Sequence, residues 1–136
     1  MSKAAQVQPN QLIAVAAEKL KADKLVDAPA WVGMVKSGAP AERLPQDADF
    51  FYTRCASLLY TLYFRPTVGV RRLRNKYGGK RQHTVSRRHH TKASGKIIRV
   101  GLQLLEKAGL VKKLKVGREI TAKGKSFLDK LAAPKQ

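Results

Sequence analysis

The run from about Ala48 to Arg65 constrains the fold more than any other stretch. Asp47 precedes it, and Pro66 stops it because proline lacks the amide hydrogen a continuing helix needs. At helical spacing Phe51, Cys55, Leu58, Leu59 and Leu62 fall on one broad side, and Tyr52, Ala56 and Tyr63 widen it. Thr53, Arg54, Ser57, Thr61 and Arg65 gather on the remaining sector, with Phe50, Tyr60 and Phe64 among them. A helix that is apolar over most of its circumference must be covered by other helices. The chain is therefore expected to be mainly α, a helical bundle around this central helix.

The flanking segments supply the cover. Met1 to Gln8 reads as a loose arm, and Pro9-Asn10 opens a helix with Leu12, Ile13, Val15, Ala16 and Leu20 at helical spacing. Pro29 starts a short helix, Ala30 to Lys36, expected to bury Val35 and to use Trp31 as a core anchor. Ser37 to Pro45, with Gly38, Pro40 and Pro45, reads as a surface loop. Beyond the central helix, Thr67 to Tyr77 reads as a short basic helix with Val68, Val70 and Leu73 on its apolar side, ended by Gly78-Gly79. Lys80 to Lys92 has nothing to bury and is expected to be a mobile basic loop.

Ser94 caps a further helix to about Ala108, with Gly109 past its end. Ile97, Gly101, Leu104, Leu105 and Ala108 face inward; Lys96, Arg99, Gln103 and Lys107 face outward. A glycine inside a helix costs about 1 kcal/mol relative to alanine, so Gly101 is expected to permit close helix approach. Leu110 to Val116 alternates as a strand does, Gly117 turns the chain, and Arg118-Glu119-Ile120 returns as a short C-terminal β-hairpin. Thr121 caps the last helix, with Phe127, Leu128 and Leu131 inward, and residues 132–136 are expected to fray. Residues 1–136 read as a single domain.

Charge is distributed unevenly along this frame. From Phe50 to Leu105 there is no Asp or Glu, yet there are thirteen Lys/Arg: Arg54, Arg65, Arg71, Arg72, Arg74, Lys76, Lys80, Arg81, Arg87, Arg88, Lys92, Lys96 and Arg99. The first 49 residues are neutral, and most of the net charge of +19 sits in the middle of the chain. Solubility needs only about 2–8 net charges on a small domain, so the excess points to a polyanionic partner. Contacts to phosphates release counterions and give a salt-sensitive affinity. All thirteen are candidate nucleic-acid contacts. For Tyr60 and Phe64 two readings stay open: base contacts beside the arginines, or rings that finish the core.

Other chemistries are poorly provided for. The nine acids lie outside the basic stretch, so acid–base catalysis lacks its carboxylates and the chain is not read as an enzyme. One cysteine in the central helix and His83, His89 and His90 in a basic loop do not make a zinc site. Gly78-Gly79-Lys80 lacks the spacing of a P-loop, and Cys55 on an apolar helix face is a poor nucleophile. No cofactor, small-molecule substrate or homo-oligomer is expected. The polar start of the chain and the lack of a ~20-residue apolar run point away from a secretory signal or membrane span, and the chain reads as soluble and intracellular.

Two binding functions fit. The order helix, two-stranded wing, helix in the last third suits a winged-helix DNA-binding transcription regulator, with Lys96, Arg99 and Gln103 in a groove. An RNA-binding structural protein fits better. The basic surface spans several elements rather than one recognition helix, the Lys80–Lys92 segment suits irregular RNA, and no leftover apolar heptad offers a dimer interface.

Several motifs carry a resemblance: Pro29-Ala30-Trp31-Val32, Asp49-Phe50-Phe51-Tyr52-Thr53-Arg54-Cys55-Ala56-Ser57, Tyr77-Gly78-Gly79, and Leu102-Gln103-Leu104-Leu105-Glu106. With these the chain resembles, over nearly its whole length, the S-nineteen-e family of small-subunit ribosomal proteins of archaea and eukaryotes. The resemblance implies a winged-helix type of bundle in the head of the small ribosomal subunit. It implies binding to ribosomal RNA beside neighbouring ribosomal proteins, and a part in subunit maturation. The place implied is the cytoplasmic ribosome, with a nucleolar assembly stage if the source is eukaryotic. By the same resemblance the family's RNA-facing positions fall on Arg54, on Lys80, Arg81, Arg87 and Arg88 after the glycine pair, and on Arg99. The chain departs from the family pattern at Phe50, where tryptophan is common, and at Tyr60, where a basic residue is frequent. On this reading Arg54→Glu is expected to spare the isolated fold and block incorporation into the subunit.

Overall fold

The computed structural model describes residues 3–38, 41, 43–45, 48–65, 67–81 and 89–133. Asp47, Pro66, the tip of the Lys80–Lys92 segment with Arg87 and Arg88, and the last three residues lie outside them. Among the described residues there are five α-helices: α1 (Pro9–Ala22), α2 (Phe50–Phe64), α3 (Val70–Tyr77), α4 (Gly95–Lys107) and α5 (Ala122–Ala132). Two small antiparallel sheets complete them: β1 (Gly79–Arg81) with β2 (His89–Thr91), and β3 (Val111–Lys113) with β4 (Arg118–Ile120).

Helix α2 is the axis of the molecule, as its apolar circumference demands. It packs against α1, α4, α5 and β4. Phe51, Cys55, Ala56, Leu58, Leu59 and Leu62 are all buried. Arg65 ends it with extended backbone (φ −118°, ψ 134°), the conformation favoured before a proline. The Thr61 hydroxyl corrects the sequence reading. It lies on the polar sector, yet Thr61 is only 4% exposed, because α3 covers that side. Its hydroxyl is satisfied by donating to the Ser57 carbonyl at 2.9 Å.

The α2–α4 seam is closed by small residues. A Cβ placed on Gly101 would stand 3.1 Å from Leu58 Cδ1 and 3.3 Å from Cys55 Sγ, so the absence of a side chain sets how near the helices come. Ile98 and Leu102 are buried beside the expected Ile97 and Leu105. Gly109 takes φ +83° just past α4, the left-handed conformation that suits a glycine there. The C-terminal hairpin follows with Val111 opposite Ile120 and Lys113 opposite Arg118. Thr121 caps α5 by accepting a bond from the Gly124 amide at 3.2 Å.

Cys55 sits fully inside this seam. Burial pushes its thiol up to about 12, with Arg54 beside it opposing the shift. Because the folded pKa is raised, the chain binds more protons folded than unfolded above pH ~8.5. The contribution of this thiol to stability is therefore present below that pH and is lost as pH rises towards about 12. The native protein is expected to react with a thiol reagent at pH 8 only at the rate of global unfolding. Immediate labelling without denaturant would contradict this burial.

Four further expectations are corrected. Lys3–Gln6 is not a loose arm but a 3₁₀ turn packed on α5, with Ala4 fully buried. Ala30–Met34 is also a 3₁₀ turn; Val35 lies 37% exposed beyond it, and Trp31 is half-buried against the core. Val68 is buried outside α3, paired with Arg118 through two backbone bonds at 3.1 and 3.0 Å. The expected Lys80–Lys92 loop has a stem: Gly79 pairs with Thr91, Lys80 with His90 and Arg81 with His89. Backbone pairing needs no apolar side chains, so the sequence pattern could not announce it. Gly78 allows the stem to approach α3, since a Cβ there would fall 2.3 Å from the Thr91 carbonyl oxygen. Gly78→Ala is expected to cost about 1–3 kcal/mol in urea unfolding and to speed amide exchange in β1 and β2. Unchanged exchange there would contradict the contact.

Candidate nucleic-acid interface

The described part of the basic stretch converges from three directions. Helix α3 contributes Arg71, Arg72, Arg74 and Lys76; the β1–β2 stem and the residue after it contribute Lys80 and Lys92; α4 contributes Lys96 and Arg99. Arg71, Arg72, Lys80, Lys96 and Arg99 are exposed. Arg81 lies in β1.

Backbone ties hold these elements together. The Ala93 amide donates to the Arg74 carbonyl at 3.0 Å, and the Arg74 Nε–H donates back to the Ala93 carbonyl at 2.8 Å. The Ser94 amide donates to the Ser37 carbonyl at 3.0 Å. That last bond brings Lys36 into a shallow basin of about 600 Å³, with Arg74 and Lys92 on its walls. Sequence reasoning missed Lys36, because it belongs to the charge-balanced N-terminal third and only the tertiary link at Gly38–Ala93 places it here.

Arg54 is placed differently from its neighbours. Its guanidinium carbon lies 4.1 Å from the Tyr77 ring centroid and 5.0 Å from that of Phe50. Burial lowers its pKa from the ordinary arginine value, while Tyr77 and Cys55 oppose the shift. Arg54 thus joins α2 to α3 through cation–π contacts, beside a 2.7 Å hydrogen bond between the Ser57 and Tyr77 hydroxyls. Lys76 bends back to donate from Nζ to the Thr61 hydroxyl. Lys96 Nζ lies 4.8 Å from the Trp31 ring centroid, so the tryptophan has a cationic neighbour as well as its core contact. The Tyr60 and Phe64 rings meet at a tilt of 51° with centroids 4.7 Å apart, Phe64 being 44% exposed, while the Tyr63 hydroxyl donates to Asp129 at 2.7 Å.

The ion pairs lie elsewhere. Among the described residues they join Lys19 to Asp23, Lys21 to Asp49, Lys112 to Glu119, and Arg118 to Glu106. None of them engages a cation of the acid-free stretch. Forked guanidiniums and ammonium groups without an ion-pair partner among the described residues are chemically suited to hold phosphate. No group of described residues assembles the three or more His, Cys, Asp or Glu that a metal ion would need. No helix among the described residues is long and apolar enough to cross a membrane.

Comparison with known proteins identifies the lineage. The family model described as Ribosomal protein S19e matches residues 3–135. The chain belongs to the ribosomal protein S19e family. It is accordingly a ribosomal protein with a structural rather than an enzymatic role. Similar relatives are named small ribosomal subunit protein eS19. That of Thermoplasma acidophilum is 38% identical over 123 residues, covering 90% of this chain and 82% of the relative. That of Emericella nidulans is 40% identical over 128 residues, covering 93% and 86%. That of Haloarcula marismortui is 40% identical over 131 residues, again covering 93% and 86%. S19e membership agrees with the resemblance carried by the central-helix and Tyr77-Gly78-Gly79 motifs.

Proposed function

We propose that this chain is a structural component of the small ribosomal subunit. It lies in the head against ribosomal RNA and neighbouring ribosomal proteins, and it supports maturation of the subunit and translation. The observation that carries this reading is the acid-free basic surface, none of whose described cations is spent on an internal ion pair. Family membership and the names of the similar proteins support the same reading. Arg65, Arg71, Arg72, Lys76, Lys80, Lys96 and Arg99 are the exposed described cations of the stretch proposed to reach the RNA. Arg81, Arg87 and Arg88 are proposed to extend that contact. Arg54, held between rings, is proposed to act mainly by fixing α3, from which the other arginines project.

The proposed fold is of winged-helix type. Helices α2, α3 and α4 followed by the β3–β4 hairpin give its order, and the Val68–Arg118 bridge adds a short third strand position to the wing. The exposed Lys96, Arg99 and Gln103 of α4 would then face RNA rather than a DNA groove.

Sedimentation tests the function. In cells relying on a tagged copy, the chain is expected to travel with small subunits on a sucrose gradient. The double charge reversal Arg71→Glu/Arg72→Glu, at exposed sites, is expected to leave the melting curve unchanged and to move most of the protein to the top of the gradient. Wild-type protein that is abundant yet absent from the small-subunit fractions would overturn the reading.

A further inference from the structure

A cleft of about 450 Å³ opens between the end of α2 and α3. Arg65, Arg72 and Lys76 line it, with Val68 and Leu73 at its floor. No described carboxylate forms an ion pair with any of the three cations. Lys76 is the informative one. A lysine on a surface helix ordinarily extends its ammonium into water. Here the ammonium turns inward to donate to Thr61, a residue almost wholly buried. The Thr61 hydroxyl gives its own hydrogen to the Ser57 carbonyl, so its oxygen is oriented to receive Lys76. Burial, then the nearby positive charge of Arg65, lower the Lys76 pKa. Three like charges are held around one small space with no described carboxylate paired to them, an arrangement that a bound anion would relieve.

We propose that this cleft seats one phosphate of an RNA strand, gripped by Arg65, Arg72 and Lys76. The inference rests on the RNA-binding reading above and deepens it from a basic surface to a defined pocket. One ammonium hydrogen of Lys76 is used on Thr61, which leaves two for a phosphate oxygen. The guanidiniums of Arg65 and Arg72 can each present a fork to the remaining oxygens. The Asn75 side chain on the rim offers a further hydrogen-bonding group to the adjoining sugar or base. A cleft of this size admits one phosphate with its sugar.

The test uses the full chain in two arms. In the first, the side-chain nitrogen signals of Arg65, Arg72 and Lys76 are followed by NMR during titration with uridine 5′-monophosphate, inorganic phosphate or chloride at fixed ionic strength. Saturable shifts of all three with the nucleotide, and a rise in the Lys76 pKa, are expected. A linear drift no different from that given by chloride overturns the pocket. In the second arm, the salt dependence of binding to small-subunit rRNA fragments is compared for wild type and Arg72→Gln/Lys76→Gln. The slope of log affinity against log salt is expected to fall by about one in the double variant, the loss of a single phosphate contact, with the melting curve retained. An unchanged slope and affinity overturns the pocket as an RNA site, even if free phosphate binds it, and leaves the ribosomal reading standing. Wild-type protein with no preference for rRNA over random duplex DNA overturns that reading itself.

Discussion

Arg54→Glu is expected to destabilise the isolated protein by about 3–5 kcal/mol, a large part of the total stability of a domain this size. The guanidinium is held against the faces of Tyr77 and Phe50, and α3 is joined to α2 at this point. A carboxylate there would meet the negative faces of two rings, with most of its hydration removed. The melting temperature is expected to drop by more than about 10 °C. Loss from the ribosome would then follow from unfolding, so the sequence-based expectation of an intact fold is replaced. Arg54→Lys separates the roles. It keeps the charge but cannot lie flat between two rings, and an intermediate melting temperature is expected. A melting curve for Arg54→Glu within a few degrees of wild type would show that the ring contacts do not hold α3 in place.

Leu58→Ala is expected to cost about 2–5 kcal/mol in denaturant unfolding. Leu58 is fully buried on α2, and one of its methyl groups occupies the space left open by Gly101 on α4. Removing it opens a cavity at the seam between α2 and α4. The cavity also makes room for a methyl on Gly101. Gly101→Ala alone would set its Cβ 3.1 Å from Leu58 Cδ1, whereas in the Leu58→Ala background that atom is gone. The two substitutions are therefore expected to couple favourably by about 0.5–3 kcal/mol in a double-mutant cycle. Strict additivity would mean that the helices adjust their separation freely.

The helices were legible because their patterns are local. Apolar spacing in α2, the glycine after α4 and the threonine before α5 each act through neighbours within a turn or two. The outer face of α4 was likewise readable from spacing, with Lys96, Arg99, Gln103 and Lys107 all exposed. What escaped were features made by contact between distant segments. Thr61 looked solvent-facing until α3 covered it, and Arg54 looked like a surface contact until Tyr77, 23 positions further on, closed over it. The β1–β2 stem is made by backbone hydrogen bonds between residues with no strand-like alternation. Ala4 reads as a small residue in a polar arm and becomes a fully buried contact only because α5 comes back to meet it.

For the interface, the acid-free run identified the cations but not their division of labour. Charge composition is indifferent to whether an arginine reaches outward or braces the scaffold. The structure separates Arg54 and Arg74, tied to ring and carbonyl partners, from Arg71, Arg72 and Arg99, which remain exposed. The basic stretch thus combines residues that shape the surface with residues free to meet phosphate.

A density map of the assembled small subunit containing this chain tests the whole reading most directly. Phosphate oxygens of ribosomal RNA are expected within hydrogen-bonding distance of cations on α3, on the β1–β2 stem and on the outer face of α4. If those side chains instead face open solvent while α1 and α5 rest on the RNA, the basic surface is not what seats this protein in the ribosome.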